Sequence, residues 1–136
     1  KQPAELKKKV FSPKQKRQFK FAKGLQAEKI ALDFLLTKNY LLLAKNLRVG
    51  NSELDLIVFD QTHDEIVFVE VKHRQTSMYG EASQAVDQRK LSSMLKVANA
   101  YLKKIQFQKS YRFDIISITG NLAKPSIAHY QNVTWL

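Results

Sequence analysis

The chain has 136 residues, 44% of them hydrophobic, no cysteine, and a net charge of +11 from 23 basic and 12 acidic residues. That length fits one domain and is enough to bury a core. The missing cysteine excludes a disulfide framework, a thiolate zinc site and a cysteine nucleophile. Apolar runs such as Tyr40 to Ala44 fall far short of the ~18 residues of a membrane span, and no basic segment precedes an apolar signal core; a cytoplasmic protein without a membrane span is expected. The charge is uneven: residues 1–23 hold nine basic residues against Glu5 alone, a balance of +8, which leaves +3 for the rest. Such an arm suits a polyanion, nucleic acid first and an anionic membrane surface second, although a solvated tail would read the same way.

Residues 1–11 are expected to form a flexible basic arm, with a single domain over 12–136. Ser12-Pro13-Lys14-Gln15 predicts a helix start: Ser as N-cap, Pro in the first turn, and Gln three residues on to complete a capping box. The helix is expected to run to about Lys38 and to stop at Asn39. Its apolar stripe reads as Phe21, Leu25, Leu32 and Leu35, flanked by Ala31 and Phe34, with Glu28 inside it. A carboxylate there is either buried at a cost of several kcal/mol or sits at the stripe's edge and reaches solvent or a lysine; the helix pattern leaves both open.

Tyr40 to Arg48 predicts a first strand and Val49-Gly50-Asn51-Ser52 a turn. Glu53 to Phe59 and Ile66 to Lys72 predict a hairpin around the polar stretch Asp60 to Glu65. A polar segment, His73 to Ala82, is followed by a second helix starting between Ser83 and Asp87 and ending near Lys104. Its expected core side is Val86, Leu91, Met94, Ala98, Tyr101, Leu102 and Ile105. Tyr111 to Thr119 predicts a fourth strand and Ile127 to Trp135 a last one. A helix between the third and fourth strands implies a parallel crossover. The expected fold is therefore α/β: a mixed sheet flanked by helices.

The two hairpin strands carry the chemistry. Strand side chains alternate between faces, so Glu53 and Asp55 share one face of the first run and Glu70 and Lys72 share one face of the second. If Asp60 pairs with Glu65, Asp55 lies opposite Glu70 and Glu53 opposite Lys72, with opposed Cβ atoms roughly 5 Å apart. Two carboxylates that close repel, and burial raises the cost; a divalent cation between them relieves it. An acid pair beside a lysine is the equipment of metal-dependent phosphodiester cleavage. The plainer reading of Lys72 is a cross-strand ion pair with Glu53.

Asp55 followed by Glu70-Val71-Lys72 resembles the signature of the PD-(D/E)XK nuclease superfamily, with Leu54 in place of its proline. Within it the chain resembles the YraN-like proteins, bacterial proteins similar to Holliday-junction resolvases. The resemblance runs from Gly24 nearly to the C-terminus. It is carried by Gly24 with Glu28, Asn46-Leu47-Arg48, Glu53-Leu54-Asp55-Leu56-Ile57, Phe68-Val69-Glu70-Val71-Lys72-His73-Arg74, Tyr79-Gly80, Ala85-Val86 with Arg89-Lys90, and Arg112-Phe113-Asp114. Ala27 and Ser52 stand where that family usually has glycine. The resemblance implies a restriction-endonuclease-like core. It further implies that Asp55, Glu70, the Val71 carbonyl and Glu28 hold Mg²⁺ or Mn²⁺, with Lys72 orienting water or neutralising the transition state. It makes a homodimer an expectation.

Arg48, Arg74, Arg89 and Lys90 are candidate phosphate contacts, each equally readable as a solvated charge. His63, His73 and His129 have no zinc-like spacing and are expected at the surface. Arg112 and Asp114 share a strand face and predict a structural ion pair. The expected function is Mg²⁺-dependent endonucleolytic cleavage of DNA, branched or otherwise structured. The alternative is a non-catalytic nucleic-acid-binding module with the same fold.

Overall fold

The computed structural model describes residues 12–74, 88–106, 108 and 110–133. The expected basic arm at 1–11, the polar segment following Arg74, the second helix's expected start and the expected strand end at Trp135 lie outside the described residues. The element order is α1 (Pro13–Leu36), β1 (Tyr40–Val49), β2 (Ser52–Asp60), β3 (Glu65–Arg74), α2 (Gln88–Ile105), β4 (Tyr111–Thr119) and β5 (Ser126–Tyr130). No helix among the described residues is long and apolar enough to cross a membrane.

Helix α1 begins as its sequence dictates. The Ser12 hydroxyl accepts the Gln15 N–H at 3.1 Å, and the Gln15 carbonyl oxygen accepts the Ser12 N–H at 2.9 Å. It ends at Leu36 with Thr37 as C-cap, and Asn39 then takes a left-handed φ of 70°. Its buried stripe differs from the expected one. Ala27, Ala31 and Leu35 face the sheet, Leu32 is only half-buried, and Phe21 and Leu25 are 68% and 44% exposed. The first three turns have no sheet beneath them, and small alanines rather than leucines let the helix approach the strands closely. Glu28 consequently sits at the flank of the buried stripe.

The five strands lie in the order β1-β2-β3-β4-β5. β1, β2 and β3 form an antiparallel meander, β3 and β4 are parallel across α2, and β5 is antiparallel to β4. Asp60 pairs with Glu65, as a four-residue hairpin loop requires. The Asp60 carboxylate closes that loop by accepting the Thr62 and His63 N–H groups at 2.9 and 3.2 Å. β5 stops at Tyr130, short of the expected strand, and Asn132 takes a left-handed φ of 54° beyond it.

One helix covers each sheet face. Ala27, Ala31 and Leu35 pack on Leu56, Val58, Val67, Val69, Ile116 and Ile118. On the other face Leu91, Met94, Val97 and Ala98 of α2 pack on Ile57, Ile66, Phe68 and Ile115. Ile105, expected in the α2 core, is instead exposed in the last turn, where the helix leaves the sheet. β1 carries a bulge between Leu42 and Ala44, and alternation in β2 breaks at Asp55. Leu56 joins the α1-side core, yet Leu54, two residues earlier, joins the α2-side core. Asn46, which the flanking pairs Lys45↔Leu56 and Leu47↔Leu54 place opposite Asp55, has a left-handed φ of 52°. That backbone turn swings the β1–β2 tip towards α2, so that a Cβ at Gly50 would stand 3.1 Å from the Lys96 ammonium. The twist falls at Asp55.

Candidate active site

The β2–β3 ladder runs from Asp60↔Glu65 to Leu56↔Val69. One residue further, the Asp55 carboxylate takes over: its Oδ2 accepts the Val71 N–H at 2.8 Å. The twist at Asn46 draws the strands apart there, and a side-chain acceptor satisfies the amide that the ladder leaves. The N–H and C=O of a strand residue point to the same side, so the Val71 carbonyl also faces this opening.

Glu70 alternates with Phe68, so it lies on the α2 face, and it is only 7% exposed. The Asp55 carboxyl is its close acidic neighbour. Two carboxyls that close repel each other's charge. Burial, followed by the Asp55 contact and charge, pushes Glu70 from 4.5 up to about 8, with Lys90 opposing. The Lys90 ammonium, from the first described turn of α2, meets Glu70 Oε2 at 2.8 Å. The Val71 amide holds Asp55 and the Lys90 ammonium holds Glu70, whose own ionisation is delayed. Burial works against the charge on Lys90, and the Glu70 contact outweighs it, so its pKa is raised.

Glu28 reaches the same region from α1. Its pKa is raised from 4.5 to about 7, first by burial and then by the charges of Asp55 and Glu53, against a hydrogen bond from Asn46 and the charge of Lys45. Its Oε1 is buried and without a hydrogen-bond partner. Of the two readings open in the sequence, each holds in part: Glu28 is half-buried at the stripe's flank with Asn46 and Lys45 acting on it, and only its Oε1 is buried without a partner. Glu28 stands back from the pair, however: among the described residues no three His, Cys, Asp or Glu side chains converge into a ready-made metal cage. The donor set nonetheless fits Mg²⁺ or Mn²⁺. It comprises two neighbouring carboxyls, a carbonyl facing the same opening, and a buried carboxyl oxygen with a spare lone pair. Mg²⁺ takes one or two carboxylates and keeps several waters.

Lys72 lies on the Glu70 face of β3 and is half-buried. The expected Glu53–Lys72 pair does not form in the ladder, because the described β2–β3 pairing ends at Leu56. Glu53 instead binds Arg48 across the β1–β2 hairpin. Arg48 is thus engaged beside the site, Arg74 lies at the end of β3, and Arg89 is exposed on α2. Of the four candidate phosphate contacts, Lys90 touches the acid pair. Sequence reasoning missed that contact, although a buried strand carboxylate asks for a counter-ion. It also gave Asn46 no role. The five basic residues Lys14, Lys16, Arg17, Lys20 and Lys23 line the exposed first half of α1.

A second polar cluster closes the opposite end of the same strands. Arg112 is buried and donates to Asp114 at 3.0 Å, to Asp60 and Glu65 at 2.8 Å each, and to the Tyr40 hydroxyl at 2.9 Å. The Arg112–Asp114 pair is as expected, but its extent is not. His129 is only 11% exposed and bonds Asp114 at 2.8 Å, which corrects the expectation of a surface histidine. His73 is half-buried, with Nε2 3.1 Å from the Gly120 carbonyl oxygen, and His63 is exposed with Nδ1 on Asp60.

Curated relatives cover most of the chain. A protein of Cytophaga hutchinsonii is 38% identical over 99 residues, 72% of this chain and 85% of its own. One of Syntrophomonas wolfei is 37% identical over 110 residues, 80% of this chain and 94% of its own. One of Persephonella marina is 35% identical over 115 residues, 84% and 94%. All three are named only as UPF0102 proteins. The acid pair, Glu28 and Lys90 all lie within the segment, residues 27–118, that matches the family's sequence pattern, and the chain belongs to the uncharacterised protein family UPF0102.

Proposed function

We propose that this protein is a metal-dependent endonuclease that hydrolyses phosphodiester bonds in DNA, with a branched or otherwise structured substrate, on a restriction-endonuclease-like core. One observation carries the reading: where the β2–β3 ladder ends, Asp55 takes the Val71 amide beside the buried Glu70, with Lys72 on the Glu70 face. The resemblance to YraN-like proteins, similar to Holliday-junction resolvases, supports the same assignment.

Asp55, Glu70 and the Val71 carbonyl would hold Mg²⁺ or Mn²⁺, with Glu28 reaching in through water. When bound, the ion lowers the pKa of a coordinated water and offsets charge on the scissile phosphate. Lys72 stands on the side of the pair from which it can hold that water or neutralise the pentavalent phosphorus. The basic first half of α1 and Arg89 supply sequence-independent attraction for the backbone, which weakens as salt rises. The second reading, a nucleic-acid-binding module without catalysis, draws on the Lys90–Glu70 pair, in which a protein cation already compensates the site.

Cleavage of four-way junction, flap and linear DNA in Mg²⁺ or Mn²⁺ tests the proposal. Asp55→Asn, Glu70→Gln and Lys72→Ala are each expected to lower the rate by roughly 100-fold or more. DNA binding should survive the two acid changes, which remove negative charge facing a polyanion. A wild type that binds these DNAs but cleaves none in either metal would move the assignment to the binding module.

A further inference from the structure

We propose that Lys90 is a resident counter-ion of the acid pair, which a divalent cation displaces in order to bind between Asp55 and Glu70. This inference rests on the metal-binding reading above and adds an occupant for the site in its metal-free state. Four observations carry it. Lys90 Nζ lies 2.8 Å from Glu70 Oε2. Glu70 is almost fully buried, whereas the Lys90 side chain is 38% exposed, so the ammonium has a route to solvent and the carboxyl does not. The pair arises between α2 and β3, two separate elements, so the lysine can swing away without disturbing the strands. Three acids favour its charge: Asp55 and Glu53 act on the Lys90 ammonium together with Glu70. A cation is therefore what this surface selects, and the chain supplies one of its own.

The exchange is a competition of charges. A divalent ion between the carboxyls carries two charges against the two acids, while the ammonium brings one charge to Glu70 from a partly exposed side chain. Once the ion is seated, Lys90 faces a like charge at close range and turns outward. It then stands beside the metal, within reach of a phosphate oxygen. That geometry separates two roles for basic residues here: Lys72 is in line with the acids on β3, and Lys90 gates access to them from α2.

Calorimetric titration of Mn²⁺ into metal-free wild type, Lys90→Met and Lys90→Arg at pH 8 tests this, with melting curves to show that each is folded. Lys90→Met is expected to bind Mn²⁺ roughly three- to tenfold more tightly than wild type, and Lys90→Arg to bind close to wild type. Equal or weaker binding by Lys90→Met, with Asp55→Asn abolishing binding, overturns the counter-ion role and leaves the metal site standing. Absence of Mn²⁺ binding in all three overturns both. A crystal soaked in Mn²⁺ gives a second readout: anomalous density between Asp55 and Glu70 with Lys90 Nζ withdrawn from Glu70 supports displacement, and density there with the Lys90–Glu70 contact intact refutes it.

Discussion

Replacing Glu70 with glutamine should make the metal-free protein more stable at neutral pH. Glu70 titrates near 4.5 when exposed and at about 8 in the fold. At pH 7 the unfolded carboxyl is roughly 2.5 pH units past its pKa, so retaining the proton in the native state costs about 3 kcal/mol. The direction follows from proton counts. Between pH 4.5 and about 8 the native chain binds more protons at this position than the unfolded chain, so stability falls as pH rises through that window. Below it the contribution vanishes, because both states are protonated. Glutamine can donate to Asp55 with its amide and never ionises. The half-exposed Lys90 loses its partner but can turn to solvent, which limits that loss to about 1 kcal/mol. The net expectation at pH 7 is a gain of about 2 kcal/mol, shrinking towards zero at pH 5. Urea unfolding by circular dichroism, in chelator, across pH 5 to 8.5, measures it. A variant no more stable than wild type at pH 7, or a difference that does not grow with pH, would refute the claim that the acid pair is strained.

Other expectations come from the opposite end of the sheet. Arg112→Met leaves Asp60 and Asp114 buried without their cation and should cost about 3–5 kcal/mol in urea unfolding, many times the effect of removing the exposed Lys29–Asp33 pair. Burial alone would raise Asp60, but hydrogen bonds from Arg112, His63 and the loop amides outweigh it and lower its pKa from 3.8 to about 2. Its contribution, about 2 kcal/mol, is therefore complete above pH 3.8 and lost as pH falls towards 2; Asp60→Asn should remove that acid-side slope from an unfolding profile.

The fold was legible where local chemistry decides it. The Ser12–Gln15 capping box, the four-residue hairpin between Asp60 and Glu65, and the helix separating β3 from β4 each have one structural solution, and the meander followed by a parallel crossover results. The α1 stripe was legible only in part, because periodicity favours large residues. Which face packs depends on where the sheet lies: Ala27 and Ala31 are buried against it because they permit closeness, and Phe21 is left exposed. At the site, simple alternation brought Asp55 to Glu70 but could not foresee the left-handed Asn46, which ends the ladder there and hands Glu53 to Arg48. Non-local partners were the least legible. Nothing near position 70 in the sequence indicates Lys90, and nothing near Arg112 indicates Tyr40, Asp60 or His129.

The β2–β3 ribbon contains its own control for the site. Asp60 and Glu65 are opposed across the strands at one end, and Asp55 and Glu70 come together at the other, five residues away on each strand, roughly 17 Å. The same ribbon thus brings carboxylates together twice. At the hairpin end the fold spends a buried arginine on both acids, adds His63 and two backbone amides, and Asp60 remains ionised far below neutrality. At the open end, among the described residues, the Val71 amide binds Asp55 and the half-exposed Lys90 meets Glu70, while a third carboxyl, Glu28, is aimed at the same region with a buried Oε1 that has no hydrogen-bond partner. Glu70 there is pushed up to about 8, the reverse of Asp60. Selection for stability alone would have placed an apolar residue at Glu70, where replacing buried charges commonly costs nothing. Strained, incompletely compensated carboxyls concentrate at functional sites. The contrast between the two ends of one ribbon is the strongest reason to look for a cation, and a reaction, at Asp55 and Glu70.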